Sequence, residues 1–402
     1  MPMRKKNMIQ LVVTICFLVC GFFLFSSSAS SFGHDSGAQP RTEAETMRLV
    51  AHGRYLATIG VCDACHTPPG VSLMKPPASD KAANQRERIF RTDPDWFRYL
   101  DPGKRMAGGV PFILRFAPNS SGIVYTKNLT PDPTTGLGNW TEGEIVDVLR
   151  TGRRKDGTAL FLFPPHSFFK NLAEEDARAL AVYLRSLPPV HHQILVRSLP
   201  FPVSPVAGVS SLSKAPEGRT TERAEYLLKG LVGCTECHSY RGKDGKLVEF
   251  AGGDPSDPFN GTFRLGPDLP LRQPEKGLAA FPYPGYAVLY AGNLTRFGLG
   301  GDLNYVPSEI IVRAVRQGIS VEPDPYGRAR SLAHIMMWQF YAGMTDDDAF
   351  ALAEYIKSLR YIPHQVEPRL IYFGSDWKEA FEQAFGEKPS ENDRKIFGKP
   401  NF

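Results

Sequence analysis

The sequence predicts a mainly α-helical protein made of two tandem copies of one unit. A five-residue motif, Cys-x-x-Cys-His, occurs at residues 62–66 and again 172 positions later at residues 234–238. The segment ALAVYLRSL at residues 179–187 has a helical period and matches ALAEYIKSL at residues 351–359, with the same separation. The composition, with 42% hydrophobic and 22% charged residues, is ordinary for a globular chain.

The repeated motif has the spacing of a c-type haem attachment site. Two thiols three positions apart can form thioether bonds to the two vinyl groups of the porphyrin, through Cys62 and Cys65 in one copy and Cys234 and Cys237 in the other. The histidine that follows each pair then supplies the proximal iron ligand. We therefore predict two covalent haems, with iron bound by the histidines His66 and His238.

Two other chemistries use Cys-x-x-Cys pairs. A Cys₄ zinc site would have to join pairs 172 positions apart and would leave both histidines unexplained. A thioredoxin-type redox pair expects a βαβ context, whereas the flanks here look helical. Of six cysteines, only Cys16 and Cys20 lie outside the motifs, so the sequence predicts a haem framework rather than a disulfide framework. The net charge of +5 is spread along the chain and does not suggest nucleic-acid binding.

Residues 1–29 read as a targeting segment, with a basic start, an apolar run and small residues at a cleavage position. The run is long for a signal peptide and barely long enough to span a bilayer. We expect cleavage, with retention as an anchor as the alternative. In either case the basic start stays inside, so we expect the body to be exported, which fits the attachment of c-type haem outside the bacterial inner membrane. We expect a periplasmic protein, soluble or attached to the inner membrane.

The first domain is expected at residues 41–190. Helices are predicted around residues 47–59, 144–150 and 174–187, and Asn171 is the candidate N-cap of the last one. Its apolar positions follow a helical period at Ala177, Leu180, Ala181, Leu184 and Leu187. We expect the helix before the haem motif to cross this last helix.

A linker rich in Pro, Ser and Val follows at residues 191–218, and a second domain is expected at residues 219–365. The tail, residues 366–402, contains a short amphipathic helix that packs on its own domain or docks a partner. Its apolar face is formed by Trp377, Ala380, Phe381, Ala384 and Phe385.

The pattern NLTPDPTTGLGNWTEGEI, followed by LRTG, DG and YLRSLPPV, resembles the cytochrome c subunits of membrane-bound bacterial alcohol and gluconate dehydrogenases. The resemblance covers most of residues 45–190 and, more loosely, residues 222–362. Those subunits usually carry three haem domains, so this chain, with two motifs, is similar to the diheme relatives. The resemblance implies two tandem cytochrome c domains and a role in electron transfer.

In that family the sixth iron ligand is a Met shortly before the last helix of each domain. Met336 matches this Met in the second domain, with Met337 as the alternative. The first domain has Pro164-Pro165-His166 in the equivalent stretch and no Met between Met106 and Met336. The sixth ligand of its haem is therefore predicted to be His166, with Met106 or an open site as alternatives.

The function predicted from these observations is single-electron transfer between a periplasmic or membrane-bound dehydrogenase and the respiratory chain. Its partners would be redox proteins, with a dehydrogenase as donor and a cytochrome or an oxidase as acceptor, and membrane association is possible. The alternative is a diheme enzyme, such as a peroxidase, whose first haem is open.

Overall fold

The computed structural model divides into two compact units, Met1–Glu45 and Thr46–Phe402. Within them the structure describes residues 41–68, 100–117, 120–161, 166–257, 262–269, 285–295, 305–323, 336–366 and 370–374, with a few isolated positions besides. The predicted targeting segment lies outside the described residues. Among the described helices, none is long and apolar enough to cross a membrane.

We refer to the described residues up to 190 as the first half and those from 219 as the second half. The helices of the first half are α1 (Glu43–Ile59), α2 (Cys62–His66), α3 (Glu142–Thr151) and α4 (Glu174–Ser186). Short 3₁₀ helices lie at Pro102–Lys104 and His166–Asn171. An antiparallel hairpin of β1 (Pro111–Ala117) and β2 (Ser120–Tyr125), which the sequence did not predict, separates α2 from α3.

The second half repeats this order. Its helices are α5 (Thr221–Tyr226), α6 (Cys234–Cys237), α7 (Ser308–Gln317), α8 (Trp338–Tyr341) and α9 (Asp346–Ser358), and a π-helix at Leu227–Leu231 joins α5 to α6. The strands are β3 (Tyr240–Arg241), β4 (Leu247–Val248), β5 (Thr262–Leu269), β6 (Gly285–Tyr290) and β7 (Leu370–Gly374). The fold is thus rich in helix and poor in sheet, as the sequence predicts.

The helix that leads into the first haem motif crosses the last helix of its half, as expected. A Cβ built on Gly53 in α1 would lie 2.0 Å from the carbonyl oxygen of Ala179 in α4, so only glycine permits this close approach. The predicted apolar positions of α4 are buried from Ala177 to Leu184, with Leu180 1% exposed. One hydrophobic cluster contains residues of both halves, among them Leu56, Leu180, Leu227, Leu231 and Leu352.

The last helices of the two halves, α4 and α9, satisfy their first N–H groups in different ways. Thr345 accepts a hydrogen bond from the backbone N–H of Asp348 and so caps α9. The predicted cap at Asn171 is wrong, because α4 begins at Glu174 after Ala173, which offers no side-chain cap. Instead, the first two N–H groups of α4, at Glu174 and Glu175, donate to the carbonyls of Leu212 and Ser213.

The segment predicted as a linker lies against the first half. Ser198 exchanges two backbone hydrogen bonds with Ile123 in β2, at 2.7 and 2.9 Å. Further along, Val206 N–H donates to Thr151 O and Ser210 N–H donates to Lys170 O, both at 2.8 Å. The domain boundaries at 190 and 219 stay predictions, but residues 198–213 follow the surface of the first half.

The start of the tail forms a strand. β7 pairs antiparallel with β6 and completes a three-stranded sheet in the order β5-β6-β7. The residues of the predicted amphipathic helix, from Trp377 to Phe385, lie largely outside the described part of the chain, so that helix stays a prediction.

Candidate haem-binding sites

Each Cys-x-x-Cys-His motif forms a short helical turn entered through a left-handed residue. Val61 has φ 53° before α2, and Gly233 has φ 68° before α6. The same backbone reversal in both copies turns the chain sharply into the motif. The motifs therefore start from equivalent local conformations, even though one entry residue is β-branched and the other is glycine.

The four motif cysteines are partly buried free thiols. Burial raises the pKa of Cys62 to about 12 and that of Cys65 to about 11. Burial likewise raises the pKa of both Cys234 and Cys237 to about 12. Within the described residues, no group of three or more His, Cys, Asp or Glu side chains could hold a metal ion.

Both motif histidines are held by a backbone carbonyl. The His66 ring lies with Nδ1 2.7 Å from Lys127 O, and the His238 ring lies with Nδ1 2.8 Å from Gly292 O. A carbonyl oxygen only accepts hydrogen bonds, so Nδ1 must carry the proton and the lone pair is on Nε2. This is the tautomer that a proximal iron ligand requires. The cysteine pairs and the oriented histidines together fit a covalently attached haem.

A second set of contacts fixes the backbone carbonyl of each motif histidine and the side chain of the residue that follows it. In the first half, Gly108 N–H donates to His66 O at 2.6 Å and Met106 N–H donates to Thr67 Oγ1 at 3.0 Å. In the second half, the equivalent bonds run from Gly252 to His238 at 2.9 Å and from Phe250 to Ser239 at 3.1 Å. The two sites are therefore equivalent in backbone geometry.

The Asn-x-Thr sequences supply residues whose structural role sequence reasoning left open. Asn128 Nδ2 donates to Val190 O at 2.8 Å, and Asn293 Nδ2 donates to Ile362 O at 3.1 Å. Each Asn directly follows the residue whose carbonyl holds the motif histidine. Its hydrogen bond joins this part of the chain to the segment after the last helix of the same half. The signal that could have revealed this role is the recurrence of Asn-Leu-Thr in both halves, at Asn128 and Asn293, because a chance triplet has no reason to recur.

The two Met candidates of the second half lie in different surroundings. Met337 precedes α8 with φ 57° and packs against the hydrophobic cluster. Met336 is partly buried and does not belong to that cluster. Met337 is therefore a packing residue, and ligation by Met336 stays a prediction.

His166 begins the 3₁₀ helix of the first half, and its side chain lies outside the described part of the structure. The two halves can be aligned by a backbone hydrogen bond that occurs in both, from Leu160 N–H to Gly152 O and from Leu332 N–H to Gly318 O. With this register, Pro164 is equivalent to Met336 and His166 to Trp338. His166 thus stands two residues beyond the position of the second-half Met, and its ligation stays a prediction.

Comparisons with known proteins find relatives that are cytochrome c subunits. The cytochrome c subunit of a quinone-dependent alcohol dehydrogenase from Gluconacetobacter polyoxogenes is 26% identical over 360 residues, which cover 84% of this chain and 61% of that subunit. The chain is similar to dehydrogenase cytochrome c subunits. A second such subunit, of gluconate 2-dehydrogenase from Pantoea cypripedii, is 27% identical over 241 residues, 57% of this chain and 44% of the relative.

A diheme cytochrome c from Cereibacter sphaeroides is 30% identical over 130 residues, 30% of this chain and 44% of the relative. No family model matches the chain. The chain spans at most about three-fifths of the length of these curated cytochrome relatives. The resemblance predicted from the sequence is confirmed, and the cytochrome relatives imply covalently bound haem c and electron transfer.

Proposed function

We propose that this chain is an exported diheme cytochrome c that transfers single electrons between a periplasmic or membrane-bound dehydrogenase and the respiratory chain. The observation that carries the proposal is the pair of Cys-x-x-Cys-His turns, each with its histidine Nδ1 bonded to a carbonyl. When bound, haem supplies the one-electron chemistry, since iron changes between two oxidation states.

The residues of this chain would hold and orient the group. Cys62 and Cys65 would attach one haem and Cys234 and Cys237 the other, with His66 and His238 as proximal ligands. The carbonyls of Lys127 and Gly292 fix each imidazole and increase its basicity as a ligand. The buried cluster behind the motifs excludes water, which is one of the ways in which a protein tunes a haem.

Intact mass spectrometry of the exported protein tests the proposal. The mass should exceed that of the processed polypeptide by two haems, and acid acetone should not release them. The matched variants Cys62→Ala/Cys65→Ala and Cys234→Ala/Cys237→Ala should each lose one haem. Release of both haems from the wild-type protein by acid acetone would contradict covalent attachment.

A diheme peroxidase is the second candidate. One observation favours it, and it comes from the alignment of the first half with the second half. Pro164 takes the position that Met336 takes in the second half, so the usual thioether is missing there. If His166 binds the iron, carbon monoxide should not bind the reduced first haem until His166 is changed to Ala. Binding of carbon monoxide to the wild-type protein, together with peroxide turnover, would support the enzyme instead.

A further inference from the structure

Two buried carboxylates lie where the two halves meet. Asp176, the third residue of α4, is 1% exposed. His52 Nε2, from α1, donates to its Oδ1 at 2.6 Å, and the hydroxyl of Tyr226, from α5, donates to its Oδ2 at 2.7 Å. One carboxylate thus joins the two helices that lead into the two haem motifs.

Asp348 holds the equivalent place in the second half, as the third residue of α9 and 172 positions after Asp176. Arg223, from α5, donates to it in a bidentate pair, with Nε to Oδ1 at 2.8 Å and Nη2 to Oδ2 at 2.9 Å. The hydroxyl of Tyr55, from α1, donates to the same carboxylate. Both members of the ion pair are less than a tenth exposed.

The two carboxylates therefore share one arrangement. Each accepts from a charged or titratable side chain of its own half and from a tyrosine hydroxyl of the other half. The tyrosines are on α1 and α5, so each haem-motif helix is bonded to the last helix of the opposite half. Tyr226 also accepts a hydrogen bond from Ala173 N–H at 3.0 Å, just before α4 begins.

The contact continues up to the motifs themselves. A Cβ built on Gly60, two residues before Cys62, would lie 3.0 Å from Cδ1 of Leu231, three residues before Cys234. In addition, Asn171 Nδ2 of the first half donates to Lys229 O in the π-helix at 2.8 Å. A π-helix disturbs the regular ladder of backbone bonds, and here a side chain of the other half bonds one of its carbonyls.

Buried charges of this kind are a poor source of net stability, because the cost of removing them from water offsets much of their attraction. A purely hydrophobic interface would hold the halves together equally well. What the carboxylates add is directional bonding, which permits one relative position of α1 and α5 and penalises others, since a shifted carboxylate would be buried without its partners.

We infer that Asp176 and Asp348 are positioning residues that hold the two haem-motif helices in one fixed arrangement, through which electrons pass from one haem site to the other within the molecule. This inference rests on the proposed function. It implies that the two tyrosine hydroxyls affect electron transfer between the sites without affecting either site alone.

The test is the rate of electron transfer between the haems in the variant Tyr55→Phe/Tyr226→Phe, measured after rapid reduction of one haem. Removing the hydroxyls deletes the cross-half bonds of Tyr226 to Asp176 and Ala173 and that of Tyr55 to Asp348, and leaves both rings in place. The loss of the two bonds to the carboxylates alone shifts the balance from the fixed to a loosened arrangement by about 30-fold, which corresponds to about 2 kcal/mol. We expect the transfer rate to fall by about tenfold, with the haem content and the visible spectrum of each site unchanged.

Tyr183→Phe is the matched control. Tyr183 is also buried, on α4, but its hydroxyl makes no hydrogen bond with the described residues. The control should transfer electrons at the wild-type rate. If the double variant does not accumulate, the single variant Tyr55→Phe replaces it, because Tyr55 is only partly buried.

Spin labels at the exposed positions Arg178→Cys and Asp347→Cys report on the arrangement separately. The distance distribution between them should broaden in the tyrosine double variant and stay narrow in the control. An unchanged transfer rate, or an equal fall in the control, would overturn the inference while leaving the proposed function intact. A wild-type protein without covalent haem would overturn both.

Discussion

Met106 and Phe250 occupy the same position in the two haem sites. Both are buried and both have a left-handed backbone, with φ 60° and 61°. The carbonyl of Met106 accepts from Leu129 N–H at 2.8 Å, and that of Phe250 accepts from Leu294 N–H at 2.7 Å. A phenylalanine cannot bind iron, so the equivalence favours packing rather than ligation for Met106.

The first prediction therefore concerns Met106→Leu. A Leu of similar volume should keep the packing, with a change in unfolding free energy below about 1.5 kcal/mol. The spin state and the potential of the first haem should not change, as measured by electronic absorption and redox titration. A switch of that haem to high spin would show that Met106 is a ligand after all.

Met336 and Met337 provide a second prediction through a matched pair of variants. Met336→Leu should abolish the thioether–iron charge-transfer band of the second haem and lower its potential, since thioether ligation raises the potential. Met337→Leu should retain both, because Met337 packs against the hydrophobic cluster. Loss of the band only in Met337→Leu would reassign the ligand.

The third prediction concerns the pH dependence of the His52–Asp176 contact. The hydrogen bond to Asp176 raises the pKa of His52 above its ordinary value of 6.5. The protonated ring is thus favoured in the folded state, so its stabilisation is complete below pH 6.5 and is lost as the pH rises through the raised pKa. Because the side chain is 37% exposed, solvent screening keeps this contribution below about 1 kcal/mol.

Thermal unfolding of the wild-type protein and of His52→Ala over a range of pH checks this sign. The difference in melting temperature should be largest under mildly acidic conditions and should decrease at alkaline pH. A difference that increases with pH would mean that His52 is bound in its neutral form.

The fourth prediction separates the buried ion pair from a surface pair. Arg223→Met alone should destabilise the protein by roughly 3–5 kcal/mol, because it leaves the Asp348 carboxylate buried and unpaired. Adding Asp348→Leu to this variant should recover part of the loss in a denaturant titration. Glu217→Gln, which removes the exposed partner of Lys214, should leave the midpoint unchanged. Equal effects of the Arg223 and Glu217 variants would contradict the buried network.

Sequence reasoning was most reliable where a local pattern determines structure. The helix predicted at residues 144–150 is found as Glu142–Thr151, because Thr141 and Glu144 form a capping box and Gly152, with φ 70°, ends the helix. The repeated motifs likewise predicted both histidines from a spacing that is visible in the chain itself; the structure places each ring with Nδ1 on a backbone carbonyl, and their ligation of iron stays a prediction.

The errors arose where the partner of a residue is distant in sequence. Asn171 has a typical capping side chain, but that side chain bonds a carbonyl 58 residues away. The tyrosines at the interface have no local signature, since Tyr55 meets a carboxylate that is 293 residues further along the chain. The segment at residues 198–213 was predicted only as a linker, because its contacts are made by backbone groups, which every sequence provides.

Those backbone contacts decide where the first half could be separated from the rest. The carbonyls of Leu212 and Ser213 accept from the opening N–H groups of α4, just before Asp176. A fragment that stops at residue 190 would leave these donors to water and would lose the chain segment that pairs with β2. A fragment that keeps these backbone contacts therefore extends at least through Ser213, and one that also keeps the bonds from Tyr226 to Asp176 and Ala173 extends past residue 226.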